Sequence, residues 1–165
     1  MLVRSLSGSG GGVSGGHYYW NSSTSTPDGT ASDSVHYSSY TAASSFGTGR
    51  WFPRSTQPQV GDYMQYTYTT PKVVHGISWQ MGYGDYASSC QTLVWTVKGS
   101  TDGTNFFVLE DDIETGKNNN VGGTFAYVNV IIKPQELKAI RIECKTTSSS
   151  TYEVGIGNCK IYREK

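Results

Sequence analysis

Alternation governs this chain. In YMQYTY (residues 63–68) Met64, Tyr66 and Tyr68 share one parity and Gln65 and Thr67 the other. QTLVWTVKG sets Leu93, Trp95 and Val97 against Val94, Thr96 and Lys98. TFAYVNVIIK and AIRIECK repeat the pattern through Val128, Val130 and Ile132, then Ile140, Ile142 and Cys144. A period of two is the signature of strands with one buried face. In EVGIGNCKIY the parity changes between Val154/Ile156 and Cys159/Ile161, which predicts a β-bulge at Gly157.

Turn signals separate these runs: Thr70-Pro71, Thr101-Asp102-Gly103, Thr115-Gly116, Gly122-Gly123 and Ser148 to Ser150. No amphipathic helix exceeds a turn or two; Pro134 to Leu137 has room for a single turn. The prediction is an all-β, jelly-roll β-sandwich of roughly eight antiparallel strands. Met64, Tyr66, Leu93, Trp95, Val128 and Ile142 are expected to meet in one dry layer between its two sheets.

Aliphatic residues are scarce, a composition that borders on disorder. Disorder of that kind goes with high net charge and few aromatics, whereas this chain has a net charge of zero, 12 Tyr and 4 Trp. Each large ring buries ~150–250 Å², enough to make up the core. The 13 basic residues are scattered among 13 acidic ones, which argues against nucleic acid, whose phosphates need clustered Lys and Arg. No apolar run approaches the ~18 residues of a membrane span, and the first residues lack the apolar core of a signal peptide.

Residues 1–34 read as a Gly/Ser-rich arm and 35–165 as the sandwich domain. Tyr18, Tyr19 and Trp20 interrupt the arm's polar background. They are expected to lie along a surface, either of their own domain or of a neighbour, and so to mediate assembly. Cys90, Cys144 and Cys159 form neither a disulfide framework nor a zinc spacing. Cys144 and Cys159 are read either as partners across the last two strands or as free buried thiols, the second being favoured.

Several of these stretches, taken in order, resemble the discoidin (coagulation-factor type C) domain. They are Gly61 to Gln65; Pro71 to Ile77; Gln80 followed by a Gly/Asp loop; Trp95 to Phe106; Ala139 to Ile142; and Cys159 to Tyr162. Ala42 to Trp51 resembles the segment that ends in the family's early tryptophan. The likeness runs from about Val35 to Tyr162 and implies a β-sandwich that does no chemistry and binds sugars, lipids or proteins through loops at one end. The sequence also departs from the family. Phe46-Gly47 stands where an Asp-Gly pair helps hold calcium, so no cofactor is expected; a calcium site would have to draw on backbone carbonyls of Ser44 to Thr48. Asp85 matches the acidic position of discoidin-type lectins, but Tyr83 replaces their arginine.

A sugar site needs an aromatic face and a few planar polar groups, and a hydrogen bond to a charged group is worth ~1.5–3 kcal/mol. Tyr83, Asp85 and Tyr86 offer both kinds of group within four residues. Alternation places them at the same end as His36, Tyr37 and Tyr40, with Arg50, Trp51 and Arg54 approaching from the next loop. The competing reading is structural, with tyrosines packed on loops and Asp85 capping a turn. His75 is read as a sheet-face residue, and Glu110 to Glu114 as a solvated acidic turn. No nucleophile elbow or cleft of paired carboxylates points to an enzyme. The function expected is lectin-like recognition of carbohydrate or glycoconjugate, extracellular or on a cell or virion surface, in a homo-oligomer or larger assembly. The alternative is a structural or decoration protein of a virion, tail fibre or extracellular filament.

Overall fold

The two longest strands each serve both halves of the molecule. In the computed structural model, β4 (Tyr63–Met81) and β9 (Tyr127–Thr146) run antiparallel, and their register jumps from Thr67↔Ala139 to Lys72↔Leu137. The jump falls at Thr70-Pro71, where proline removes a ladder donor. There both strands turn a corner and fold over on themselves. The structure describes residues 18–21, 28–47, 49–56, 58–81, 93–115, 120–121, 124–125, 127–146 and 154–164.

The larger layer consists of β2 (Gly29–Asp33), the first half of β4, the second half of β9, β5 (Leu93–Ser100) and β6 (Phe107–Thr115). The smaller layer joins the second half of β4 and the first half of β9 to β10 (Ile156–Glu164). Beyond β10 lie β3 (Arg50–Trp51) and β1 (Tyr18–Asn21). Together they form one eight-stranded antiparallel sheet curled into a sandwich, beside the short pair β7 (Asn120–Val121) and β8 (Thr124–Phe125). The Tyr18–Trp20 stretch therefore pairs, by its backbone, with the last strand of its own domain.

All six residues expected in the dry layer belong to one buried cluster. Two contacts tie the layers across that core. Arg163, from the smaller layer, is buried and pairs with Asp28, which also accepts a hydrogen bond from Tyr66 Oη at 3.0 Å. The Arg163 guanidinium also lies 5.5 Å from the Tyr68 ring.

The bulge is where the parity change requires it. β10 shifts register between Gly157 and Lys160, with Asn158 at φ 49°, and Val154, Ile156, Cys159 and Ile161 are all buried. Cys144 and Cys159 are free buried thiols. Burial pushes the Cys144 thiol up to about 12 and raises that of Cys159 as well.

Three local details come from the structure. Pro134 to Leu137 continues as strand, at the corner of β9. The stretch Ala42–Phe46 forms a short helix, α1, capped by Thr41 Oγ1, which accepts from Ser44 N–H. The acidic residues from Glu110 lie in β6, where Lys145 Nζ donates to both Asp111 (2.6 Å) and Asp112 (2.8 Å). Among the described residues, no helix is long and apolar enough to cross a membrane.

Candidate functional site

The corner in β4 gathers the connecting segments at one end of the sandwich. Ser34 N–H donates to Tyr63 O, at the start of β4. One residue later, Val35 O accepts the indole N–H of Trp51 at 3.0 Å. Trp51 in turn pairs with Ile156, which pairs with Met81 at the other terminus of β4. Both ends of β4 thus meet at residues 34–51.

On this end Tyr37 and Tyr40 stand 42% and 39% exposed. Their turn, with Ser38 at φ 57°, is braced to Phe52. Tyr37 N–H donates to Phe52 O at 2.7 Å, and Phe52 N–H to Tyr40 O at 3.2 Å. The Tyr40 ring meets the Phe52 ring edge-on, with centroids 4.8 Å apart. Phe52 packs tightly on Gly155, where a Cβ would come within 2.4 Å of its ring. Only glycine fits there.

His36 joins the exposed rings. Its Nδ1 lies 2.8 Å from Asp33 Oδ1, while Asp33 Oδ2 accepts from Ala42 N–H at 2.8 Å. An ionised carboxylate only accepts, so the imidazole donates through Nδ1. Asp33 carried no sequence signal of its own beyond its place three residues before a histidine. Arg50 is exposed at the edge of the same end.

Two residues expected to touch a ligand are engaged by the fold itself. Trp51 is fully buried, because its indole N–H is committed to Val35 and its ring to the core. Arg54 makes a two-pronged pair with Asp62 through Nε (2.8 Å) and Nη2 (2.9 Å), and Asp62 also holds Gln59 N–H. The hydrogen bond to Asp62 is the first reason the Arg54 guanidinium is raised above its usual value. Tyr83, Asp85 and Tyr86 lie outside the described residues; the chain leads to them from Met81, two strands from Trp51.

Among the described residues, no three His, Cys, Asp or Glu side chains cluster as a metal site. The Ser44 carbonyl accepts from both Gly47 and Gly49 N–H and is engaged by its own turn. His75 lies on the outer sheet face, its ring 5.5 Å from that of Tyr162.

Solved structures share this architecture. A point mutant of chitosan-binding module 1, from a chitosanase/glucanase of Paenibacillus sp. IK-5, superposes with a TM-score of 0.65 at 12% identity. The superposition covers 88% of this chain and 99% of that one. The fold is a discoidin-like β-sandwich. A family 32 carbohydrate-binding module of NanJ from Clostridium perfringens, in complex with galactose, gives the same TM-score of 0.65 at 11% identity and the same coverage of 88% and 99%. A pectin-binding module follows at 0.61 and 16%, covering 80% of this chain and 88% of its own. No family profile and no curated protein matches the sequence.

Proposed function

We propose that this chain is a non-catalytic carbohydrate-recognition module, which takes its sugar at the loop end of the sandwich. The observation that carries the reading is the exposed Tyr37–Tyr40 pair on a turn braced by Phe52, beside a histidine oriented by a carboxylate. Rings held this way offer flat apolar faces to a sugar's C–H surface at little entropic cost. His36 and Arg50 supply polar groups that select hydroxyls, and Tyr83, Asp85 and Tyr86 complete the site from the segment after Met81. The fold shared with modules named for chitosan, pectin and galactose supports the assignment. Such a site acts outside cells, and several linked copies raise a weak affinity by avidity.

A glycan array probed with a multimerised form of the chain tests the reading. Binding is expected, and the double substitution Tyr37→Ala/Tyr40→Ala is expected to remove it while the melting temperature stays within a few degrees. Asp85→Ala is expected to behave likewise; unfolding instead would assign Asp85 to the scaffold. Silence across the whole array would move the function to assembly, with the N-terminal arm as the joint.

A further inference from the structure

The larger layer ends in two edges that the sequence finishes differently. β6 bounds one side, and its ladder to β5 slips twice, between Trp95 and Val97 and again between Val97 and Lys98. Asp112 sits there at φ 53°, and Glu110, Asp111, Asp112 and Glu114 crowd the strand. Bulges and charges of this kind keep other strands off an edge. β2, on the opposite side, has neither protection. Its residues Gly29–Asp33 pair with Tyr68 to Met64 of β4 without a slip. Their one charge, Asp33, is committed to His36 Nδ1 and to Ala42 N–H.

Two hydrogen bonds fix which way the β2 backbone points. Thr69 N–H donates to Asp28 O at 2.7 Å, and Ser34 N–H donates to Tyr63 O at 3.0 Å. Bonded and unbonded residues alternate along an antiparallel strand. Between these two bonded positions, Thr30 and Ser32 therefore turn their N–H and C=O groups to β4. Gly29, Ala31 and Asp33 turn theirs away. Among the described residues β2 pairs with β4 alone, so the outward groups lie along an open edge. The side chains of Thr30 and Ser32 are exposed, and Ala31 packs against the core.

The three outward residues are spaced symmetrically about Ala31. A second β2 can be laid antiparallel so that the two copies of Ala31 are opposite each other. Gly29 then faces Asp33 at both ends, and every outward N–H meets an outward C=O, two bonds to each facing pair. Thr30 faces Ser32, hydroxyl against hydroxyl. Asp33 faces a glycine rather than another carboxylate, so no like charges oppose each other. The edge is complementary to itself.

We infer that the β2 edge is a self-association surface whose partner is a second copy of this chain, joined antiparallel about a two-fold axis at Ala31. The larger layers of the two copies continue into one sheet across that axis. Strands this short bury little apolar area, which makes the pair weak and dependent on concentration. Because the two β2 strands run in opposite directions, the segments that follow them, residues 34–51, lie at opposite ends of the pair. Where the loop end takes sugar, such a pair joins two sugar-bearing surfaces. Self-association itself does not depend on sugar binding.

The test uses the full chain without any sugar. Analytical ultracentrifugation is expected to find a monomer at about 5 µM and a dimer at about 500 µM. Thr30→Lys/Ser32→Lys sets lysines opposite each other across the axis and leaves the ladder to β4 untouched. It is expected to weaken association at least about tenfold, with the melting temperature within a few degrees because both side chains are exposed. Thr30→Glu/Ser32→Glu is expected to do the same. Mixing the two variants is expected to restore a dimer of one copy of each, which an interface elsewhere on the molecule would not produce. Amide exchange on the unmutated chain keeps the test independent of how the variants fold. The Gly29, Ala31 and Asp33 amides are expected to exchange more slowly at the higher concentration, while those of Thr30 and Ser32, bonded to β4, are slow at both. A monomer at the higher concentration, a dimer indifferent to the lysines, a mixture that fails to pair, or exchange at Gly29, Ala31 and Asp33 independent of concentration would each overturn the inference.

Discussion

The two layers of this sandwich place their cations differently. On the larger layer, cations are closed into pairs and stacks. Arg141 lies between the rings of Tyr63 and Phe106, 3.7 and 3.8 Å from their centroids, and Nη2 bonds Gln65 at 2.8 Å. Lys98 reaches Glu143 at 2.6 Å, and Lys145 spans Asp111 and Asp112. On the smaller layer the buried Arg163 turns inward to Asp28, and Lys160 Nζ lies 5.3 Å from the Tyr127 ring centroid. One layer thus closes its cations into pairs on its outer face, while the other sends an arginine through the core.

The contrast can be strained in four ways. The largest effect is expected at the link between layers: Arg163→Met leaves Asp28 without its buried partner and should cost about 3–5 kcal/mol in urea unfolding. A loss under 1 kcal/mol would mean that the layers do not depend on this tie. Next, Arg141→Ala strips two ring contacts and the Gln65 bonds from the closed face. It is expected to cost about 2 kcal/mol while leaving sugar binding intact. A fall in binding instead would make the closed face a functional one.

Acid provides the third test. Hydrogen bonding from Lys145, then Thr96, holds the Asp111 carboxyl below its ordinary 3.8, at about 2, and the Asn105 and Thr104 amides lower Asp102. A carboxyl depressed in the folded state contributes stability that is fully present above pH 3.8. That contribution is lost as pH falls from there through about 2. The melting temperature should therefore drop across this window, and Asp111→Asn should flatten the drop. The smallest effect is expected on the smaller layer, where Lys160→Ala should change stability by no more than ~0.5 kcal/mol. A larger loss would show that the contact between Lys160 and the Tyr127 ring helps to hold the fold.

The strands were legible because alternation is a local signal, and the parity change around Gly157 even located the bulge. Helix α1 was not, since five residues are far below the length at which helical periodicity shows, and its cap is a single threonine. Trp51 and Arg54 illustrate a different limit. Aromatic and guanidinium groups serve cores and binding sites equally well, and the partners that decide between them, Val35 and Asp62, are set by the fold rather than by spacing. Tyr37 and Tyr40 fell at the expected end because strand order put them there.

The position of β10 has a consequence for how the chain is made. This strand is the centre of the smaller layer, bonded to β1, β3 and β4, yet it is drawn from residues 156–164. As the chain is made, the apolar sides of β3 and the far half of β4 must wait for it. Chains cut short of Ile156 would leave those sides open and present a ready substrate to chaperones and proteases.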